Sequence, residues 1–245
     1  MSVTDEAHGP YPRIKRVLDV VLSAVGLLVA WPLLAIIATA VRLTSHGPAI
    51  FRQERMGLGC RPFQLLKFRT MWLGAHTNGP LVTSAGDSRV TPVGRVLRKY
   101  KLDELPQLWN VLRGDMSLVG PRPQTRGYFE YYKDEYARVL NVVRPGITDF
   151  AAIYYRDEEG VLARLGDPEE DYIRHVIPEK LRLYELYVER MSFWMDLYIL
   201  AHTFLVLLPG LGWVARRGQP KVGVVALPMG AKAGAGEAET TPRAA

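Results

Sequence analysis

The chain has 245 residues, 48% of them hydrophobic, and carries 31 Lys and Arg against 25 Asp and Glu, a formal charge of +6. That length accommodates one catalytic-sized domain with a sizeable core, and the positive balance suits an anionic partner such as anionic lipid, a phosphorylated substrate or nucleic acid. The single cysteine, Cys60, excludes an intramolecular disulfide and a Cys-rich zinc site, and the five histidines show no ligand spacing of the HExxH kind.

Residues 1–12 are polar, contain Pro10 and Pro12, and read as a loose tail. Residues 17–41, VLDVVLSAVGLLVAWPLLAIIATAV, hold Asp19 as their only charge. As a straight helix the run would measure about 37 Å, enough to cross a bilayer core. It is too long for a signal peptide and lacks a small-residue cleavage site. Arg13, Lys15 and Arg16 precede it, and Arg42, Arg52 and Arg55 follow it. A spanning helix collects basic residues mainly at its cytoplasmic end, whereas here both ends ask for the cytoplasm. Pro32, in the middle, removes a backbone hydrogen bond and bends the helix. Basic ends and a central breaker fit a re-entrant element over 13–46 that dips into one leaflet and returns. A kinked spanning helix is the alternative, because membrane helices tolerate proline.

Residues 47–91 place Gly and Pro at short intervals among brief apolar runs and predict short strands and turns. A helix is expected over 94–101. Asp103 can cap the next helix, with Pro106 in its first turn and Gly114 as its stop. Helices are also expected over 128–140 and 178–191. The apolar run 192–214 includes Trp194, Tyr198 and Trp213, which suit a helix at headgroup level; a core helix is the alternative. From residue 218 the chain turns to Gly, Ala and Pro and predicts a disordered tail to 245. The expected fold class is α+β, mostly helical. A small cytoplasmic catalytic domain (47–191) follows the re-entrant membrane helix, and interfacial amphipathic helices include the segment 192–217.

The chemistry gathers around Asp103 and Glu104, two adjacent acids set among Arg95, Arg98, Lys99, Lys101, Arg113 and Arg122. Nearby arginines favour the ionised form of a carboxyl. An ionised carboxylate in such a place can be a nucleophile, a metal ligand or a general base. Two neighbours can divide the work, one attacking phosphorus while the other holds Mg²⁺, a hard ion suited to oxygen ligands. The plainer reading makes Asp103 an N-cap and Glu104 a partner of the helix dipole. Three features favour chemistry. GPRP (120–123) stiffens the backbone around Arg122, whose guanidinium fork matches phosphate oxygens. KFRT (67–70) puts Lys67 and Arg69 two apart, on one face if the stretch is a strand. Arg98 completes a cationic site around the acids, so the expected substrate is phosphorylated, highly charged and met at a lipid surface.

The blocks KRVLD (15–19), FRQERMG (51–57), KFRTM (67–71), GDSRVTPVGRVLRK (86–99), LDELPQLWNVLRGDMSLVGPRP (102–123) and RPGIT (144–148) carry a resemblance over nearly the whole folded part. On them the chain resembles the bacterial sugar transferases, the monotopic polyprenol-phosphate phosphoglycosyl transferases. The resemblance implies transfer of a sugar-1-phosphate from a nucleotide diphosphate sugar, usually a UDP-sugar, to undecaprenyl phosphate through an aspartyl intermediate. It implies Asp103 as nucleophile and Glu104 as the Mg²⁺ ligand. Arg98 and Arg122 would bind substrate phosphate, with Lys67 and Arg69 lining the same site. It also implies a re-entrant helix broken at Pro32, with the catalytic domain on the cytoplasmic face of the bacterial inner membrane. One departure stands out: many members read PGITG where this chain reads PGITD, followed by FAAIYYRDEEG. Two rival functions remain, a non-catalytic membrane scaffold and a membrane-associated phosphatase using the same aspartate. Nucleic acid is not an expected partner, because the basic residues follow no RNA-binding or helix-turn-helix pattern. A homo-oligomer is compatible with the sequence.

Overall fold

The computed structural model of the protein describes residues 10–75, 86–154 and 168–207. The expected tail at 218–245, the FAAIYYRDEEG segment beyond Tyr154 and the end of the 192–217 element lie outside the described residues, as do residues 1–9. Helix α1 (Tyr11–Thr44) is 34 residues long and starts inside the expected tail, with Pro12 in its first turn, where a missing N–H costs little. Pro32 does not end the helix, which continues through it. Strands β1 (Ile50–Met56) and β2 (Pro62–Phe68) follow as an antiparallel hairpin, Ile50 opposite Phe68 and Met56 opposite Pro62. A 3-10 turn at Leu58–Cys60 joins them.

Helix α2 (Pro92–Lys99) is capped by Thr91, whose hydroxyl accepts the Gly94 N–H at 2.9 Å. Gly94 is required there by close approach, since a Cβ would collide with the Thr70 carbonyl. A 3-10 turn at Leu102–Glu104 leads into α3 (Gln107–Arg113), which Gly114 ends in the left-handed region at φ 93. β3 (Ser117–Val119) pairs in parallel with β4 (Gly146–Thr148), Val119 opposite Thr148. Between them lie α4 (Arg126–Tyr131) and α5 (Lys133–Leu140). The single helix expected over 128–140 is thus two. Tyr132 leaves the helical region at φ −136, ψ 47, and its hydroxyl donates to the Ile173 carbonyl at 3.0 Å. Then come α6 (Phe150–Tyr154), α7 (Pro168–Asp171), a π turn at Tyr172–Val176, α8 (Ile177–Arg190) and α9 (Phe193–Leu207). Among the described residues the fold is mostly helical, with two two-stranded sheets, in the expected α+β class.

The main core lies under α4, α5 and α8, where Tyr128, Phe129, Tyr136, Ile177, Tyr184 and Tyr187 pack together. A smaller cluster joins Ile37 and Val41 of α1 to Phe68 and Leu97. The catalytic-sized domain therefore grips α1 along its length. Near the start, Lys15 donates to Asp196 at 2.5 Å, Tyr11 donates to the same carboxylate at 2.7 Å, and Asp19 accepts the Leu118 N–H at 3.0 Å. Arg16 donates to the carbonyls of Val111 and Leu112, which satisfies the last turn of α3. Leu108 packs over Gly26 midway. At the far end Ser45 is buried and bonded by Arg69. The rest of α1 presents apolar side chains outward, Leu28, Val29, Trp31 and Ile36 among them, and by length and composition it is able to cross a membrane. Helix α9 has two characters: Ile199 and Asp196 are buried, while Trp194, Leu197 and Phe204 face outward.

Candidate active site

Lys101 adopts the left-handed conformation, φ 55 and ψ 22, directly after α2. For a residue with a Cβ this costs about 1 kcal/mol or more. The turn it makes swings Leu102–Glu104 inward, so that both acids are buried, Asp103 6% and Glu104 8% exposed. Asp103 does not cap a helix as expected. Pro106 has no N–H to return to the Leu102 carbonyl, and the chain tightens instead into short-range bonds, Glu104 N–H to Lys101 O and Leu105 N–H to Leu102 O. Pro106 itself occupies the position before α3, and no side chain caps that helix.

Glu104 is held by two cations. Arg122 grips it in a fork, Nη1 to Oε2 at 3.3 Å and Nη2 to Oε1, and Lys67 Nζ lies 3.3 Å from Oε1. Burial alone would raise the Glu104 pKa, but the charges of Arg122 and Lys67 outweigh it and hold the carboxyl well below the usual range. Asp103 goes the other way. Burial raises its pKa, the charge of Glu104 adds to that, and Lys67, Lys101 and Arg98 oppose it without prevailing. The expectation that the arginines dominate at Asp103 is thus reversed by burial. Its Oδ1 is buried with no hydrogen-bond partner among the described residues. Burial also pushes Lys67 down to about 8, with Glu104 pulling it back up.

Of the six charged residues expected at the site, five converge. Arg98 donates from Nε to the Thr70 hydroxyl at 3.0 Å and its charge reaches Asp103. Arg69 does not join them. Strand β2 ends at Phe68, so the alternation that would have kept Lys67 and Arg69 on one face stops one residue short. Arg69 instead turns to the end of α1, where Nη2 donates to the Ser45 carbonyl and hydroxyl, both at 2.8 Å.

Three residues with no role read from the sequence complete the surroundings. Arg55 donates to the Pro123 carbonyl at 3.1 Å, which fixes the GPRP segment next to Arg122. Burial and the neighbouring Arg122 push its guanidinium down to about 10. Asp149, 1% exposed, accepts the Ala152 N–H at 2.6 Å, and burial pushes it up to about 6 against the charges of Arg122 and Lys180. Lys180, also buried, lies 3.4 Å from the Tyr172 hydroxyl. The β3–β4 pairing explains Asp149: it sets PGITD against the strand that leads into GPRP. The sequence signal for it was the departure from PGITG; Arg55 shows in the sequence as a basic residue after the apolar segment and as part of FRQERMG.

Among the described residues no three His, Cys, Asp or Glu side chains gather as a ready metal site. The orphaned Asp103 oxygen beside a second carboxylate nevertheless suits Mg²⁺, which binds through one or two carboxylates and completes its shell with water and substrate phosphate. A buried carboxylate oxygen without a donor, flanked by a ring of cations, is equipped to approach an anionic phosphorus centre.

Residues 11–210 match the model of the bacterial sugar transferase family. A UDP-glucose:undecaprenyl-phosphate glucose-1-phosphate transferase of Caulobacter vibrioides is 45% identical over 82% of this chain and 73% of its own length. A UDP-N-acetylgalactosamine-undecaprenyl-phosphate N-acetylgalactosaminephosphotransferase of Aeromonas hydrophila is 35% identical over 82% of this chain and 45% of its own. A UDP-glucose:undecaprenyl-phosphate glucose-1-phosphate transferase of Escherichia coli is 40% identical over 80% of this chain and 40% of its own. The chain belongs to the bacterial sugar transferase family and is by class a phosphoglycosyl transferase. It spans about three quarters of the Caulobacter relative and less than half of the other two.

Proposed function

We propose that the protein transfers a sugar-1-phosphate from a UDP-sugar to undecaprenyl phosphate in two steps, with Asp103 as nucleophile, and so begins a lipid-linked glycan. The observation that carries this reading is the buried, unpartnered Oδ1 of Asp103 beside a Glu104 already neutralised by Arg122 and Lys67. In the first step an Asp103 oxygen attacks the phosphorus next to the sugar. The bond to the distal phosphate breaks and UMP leaves with its electron pair. In the second, an oxygen of the lipid phosphate attacks the same phosphorus, the aspartyl bond breaks, and a polyprenyl diphosphate sugar results. Arg98, Arg122 and Lys67 lower the repulsion between an anionic nucleophile and an anionic diphosphate, and they stabilise charge developing on the equatorial oxygens. Glu104 would hold Mg²⁺ by exchanging a contact to Lys67 or Arg122 for the ion, which when bound would neutralise charge on the leaving phosphate. Lys101 and the 3-10 turn keep the attacking carboxylate fixed.

The membrane part of the proposal is a monotopic protein on the cytoplasmic face of the bacterial inner membrane, with α1 re-entrant about Pro32. The grip on both ends of α1 supports it: Lys15 and Ser45 are each buried against the same domain. A straight helix separates those positions by about 45 Å, more than a hydrocarbon core, and would leave them on opposite sides. The apolar outer faces of α1 and α9 suit contact with lipid.

Incubation with a UDP-sugar and Mg²⁺ but no lipid tests the covalent step. Mass spectrometry of the peptide holding Asp103 should gain the mass of one sugar phosphate, and Asp103→Asn should gain nothing. An unmodified Asp103 alongside normal turnover by the variant would overturn the scheme.

A further inference from the structure

Across Pro121, Arg122 and Pro123 the backbone has one N–H, that of Arg122, because proline has none. Asp149 accepts it. The same carboxylate accepts the Ala152 N–H at 2.6 Å through Oδ1, which caps α6. Capping needs that bond alone, so the bond to Arg122 is additional to it. It forms where the β3–β4 ladder runs out. The Gly120 N–H donates to the Thr148 carbonyl at 3.0 Å, and the Gly146 N–H to the Pro121 carbonyl at 2.9 Å. Past these bonds the Asp149 side chain supplies the acceptor that the ladder no longer offers. Arg55 secures the far side at the Pro123 carbonyl. Between these fixed points Arg122 extends its side chain to Glu104 and grips it in a fork.

We propose that Asp149 is a positioning residue for the transfer reaction: by holding the Arg122 N–H it sets the direction in which the guanidinium reaches Glu104 and the diphosphate of the donor. Its role rests on the reading of Arg122 as a phosphate ligand. A guanidinium fork matches phosphate oxygens over a narrow range of approach, so a small rotation of its backbone costs two contacts at once. The flanking prolines keep Arg122 extended but do not fix the tilt of its peptide plane, which the bond to Asp149 does. Among the described residues, the charged and titratable groups facing Asp149 are Arg122 on the loop and Lys180 and Tyr184 on α8. The two cations favour the ionised form, and burial pushes the carboxyl up only to about 6, so at pH 7 both oxygens accept. Protonation turns one oxygen into a donor, as the amide of asparagine does permanently.

Calorimetry on the detergent-held full chain with Mg²⁺ tests it, with UDP as the probe. At pH 7 Arg122→Ala should weaken UDP about tenfold or more, and Asp149→Asn about fivefold, the scale of one lost hydrogen bond. The double variant should bind within about twofold of Arg122→Ala, because Asp149 then has no guanidinium left to aim. At pH 5, where the wild-type carboxyl is protonated, the gap between wild type and Asp149→Asn should close to within about twofold. A packing defect would persist at both pH values. Should Asp149→Asn fail to fold by circular dichroism, Asp149→Gly takes its place in the pH 7 comparison. Unchanged UDP affinity in the folded Asp149 variant, or losses that multiply in the double variant, would overturn the positioning role and leave Arg122 as a phosphate ligand. An equal gap at pH 5 and pH 7 would also overturn it. Full affinity in Arg122→Ala would overturn the phosphate ligand itself, and the positioning role with it.

Discussion

Asp149 has no counterpart of its kind among the other acids of the site: it is buried, bonded to a backbone N–H and raised to about 6. A group whose folded pKa lies above its unfolded value contributes stability that is complete below the unfolded value, here 3.8, and is lost as pH rises through about 6. The difference corresponds to about 3 kcal/mol at most. Wild-type protein in micelles should therefore lose unfolding stability between pH 4 and 7, and Asp149→Asn should lose measurably less over that interval. Parallel pH profiles for the two would contradict the assignment. At this scale the sequence is a good guide to residue type and a poor one to direction. Asp103, Glu104, Arg98, Arg122 and Lys67 could be picked out because their motifs are local. The burial that lifts Asp103 depends on the left-handed Lys101, which no local pattern demanded. Arg69 failed for an equally physical reason, the end of a strand one residue before it.

Among elements, α1 was legible from its hydrophobic run and the end of α3 from Gly114, and a helix was expected where α8 lies. The split at Tyr132 and the double nature of α9 were not, since both are set by distant partners, Ile173 and Lys15. A buried polar cluster ties α1 to α9. Asp196 accepts from Lys15, Tyr11 and Tyr187 and is 7% exposed. Removing Lys15 leaves that carboxylate without its cation, at a cost of about 3 kcal/mol or more. Lys15→Met should lower the thermal midpoint far more than Lys15→Met combined with Asp196→Leu; equal loss in both would show that packing, not charge, is at stake. The path of α1 has its own test. In a Cys60→Ser background, single cysteines at Arg13 and Leu43 should both react with a membrane-impermeant reagent from the cytoplasmic side of vesicles. Labelling of the two from opposite sides would mean that α1 spans.

For the whole molecule, the described residues form one domain that contacts the long apolar helix α1 near both ends. β3 and β4 bring GPRP beside PGITD, β2 supplies Lys67, and the turn after α2 supplies the acids. Composition indicated an anionic partner, and the long apolar segment indicated a membrane. Neither could indicate that Arg55 would brace Pro123 across the fold, because that contact joins residues far apart in sequence.

The most direct test of the central claim is UMP release by nanodisc-held protein supplied with Mg²⁺, undecaprenyl phosphate and a panel of UDP-sugars. The account predicts multiple-turnover release with at least one donor, dependent on the lipid phosphate beyond the first equivalent per enzyme and abolished in Asp103→Ala. Release that continues in that variant would contradict Asp103 as nucleophile, and release without lipid beyond one equivalent per enzyme would mark the reaction as hydrolysis instead of transfer.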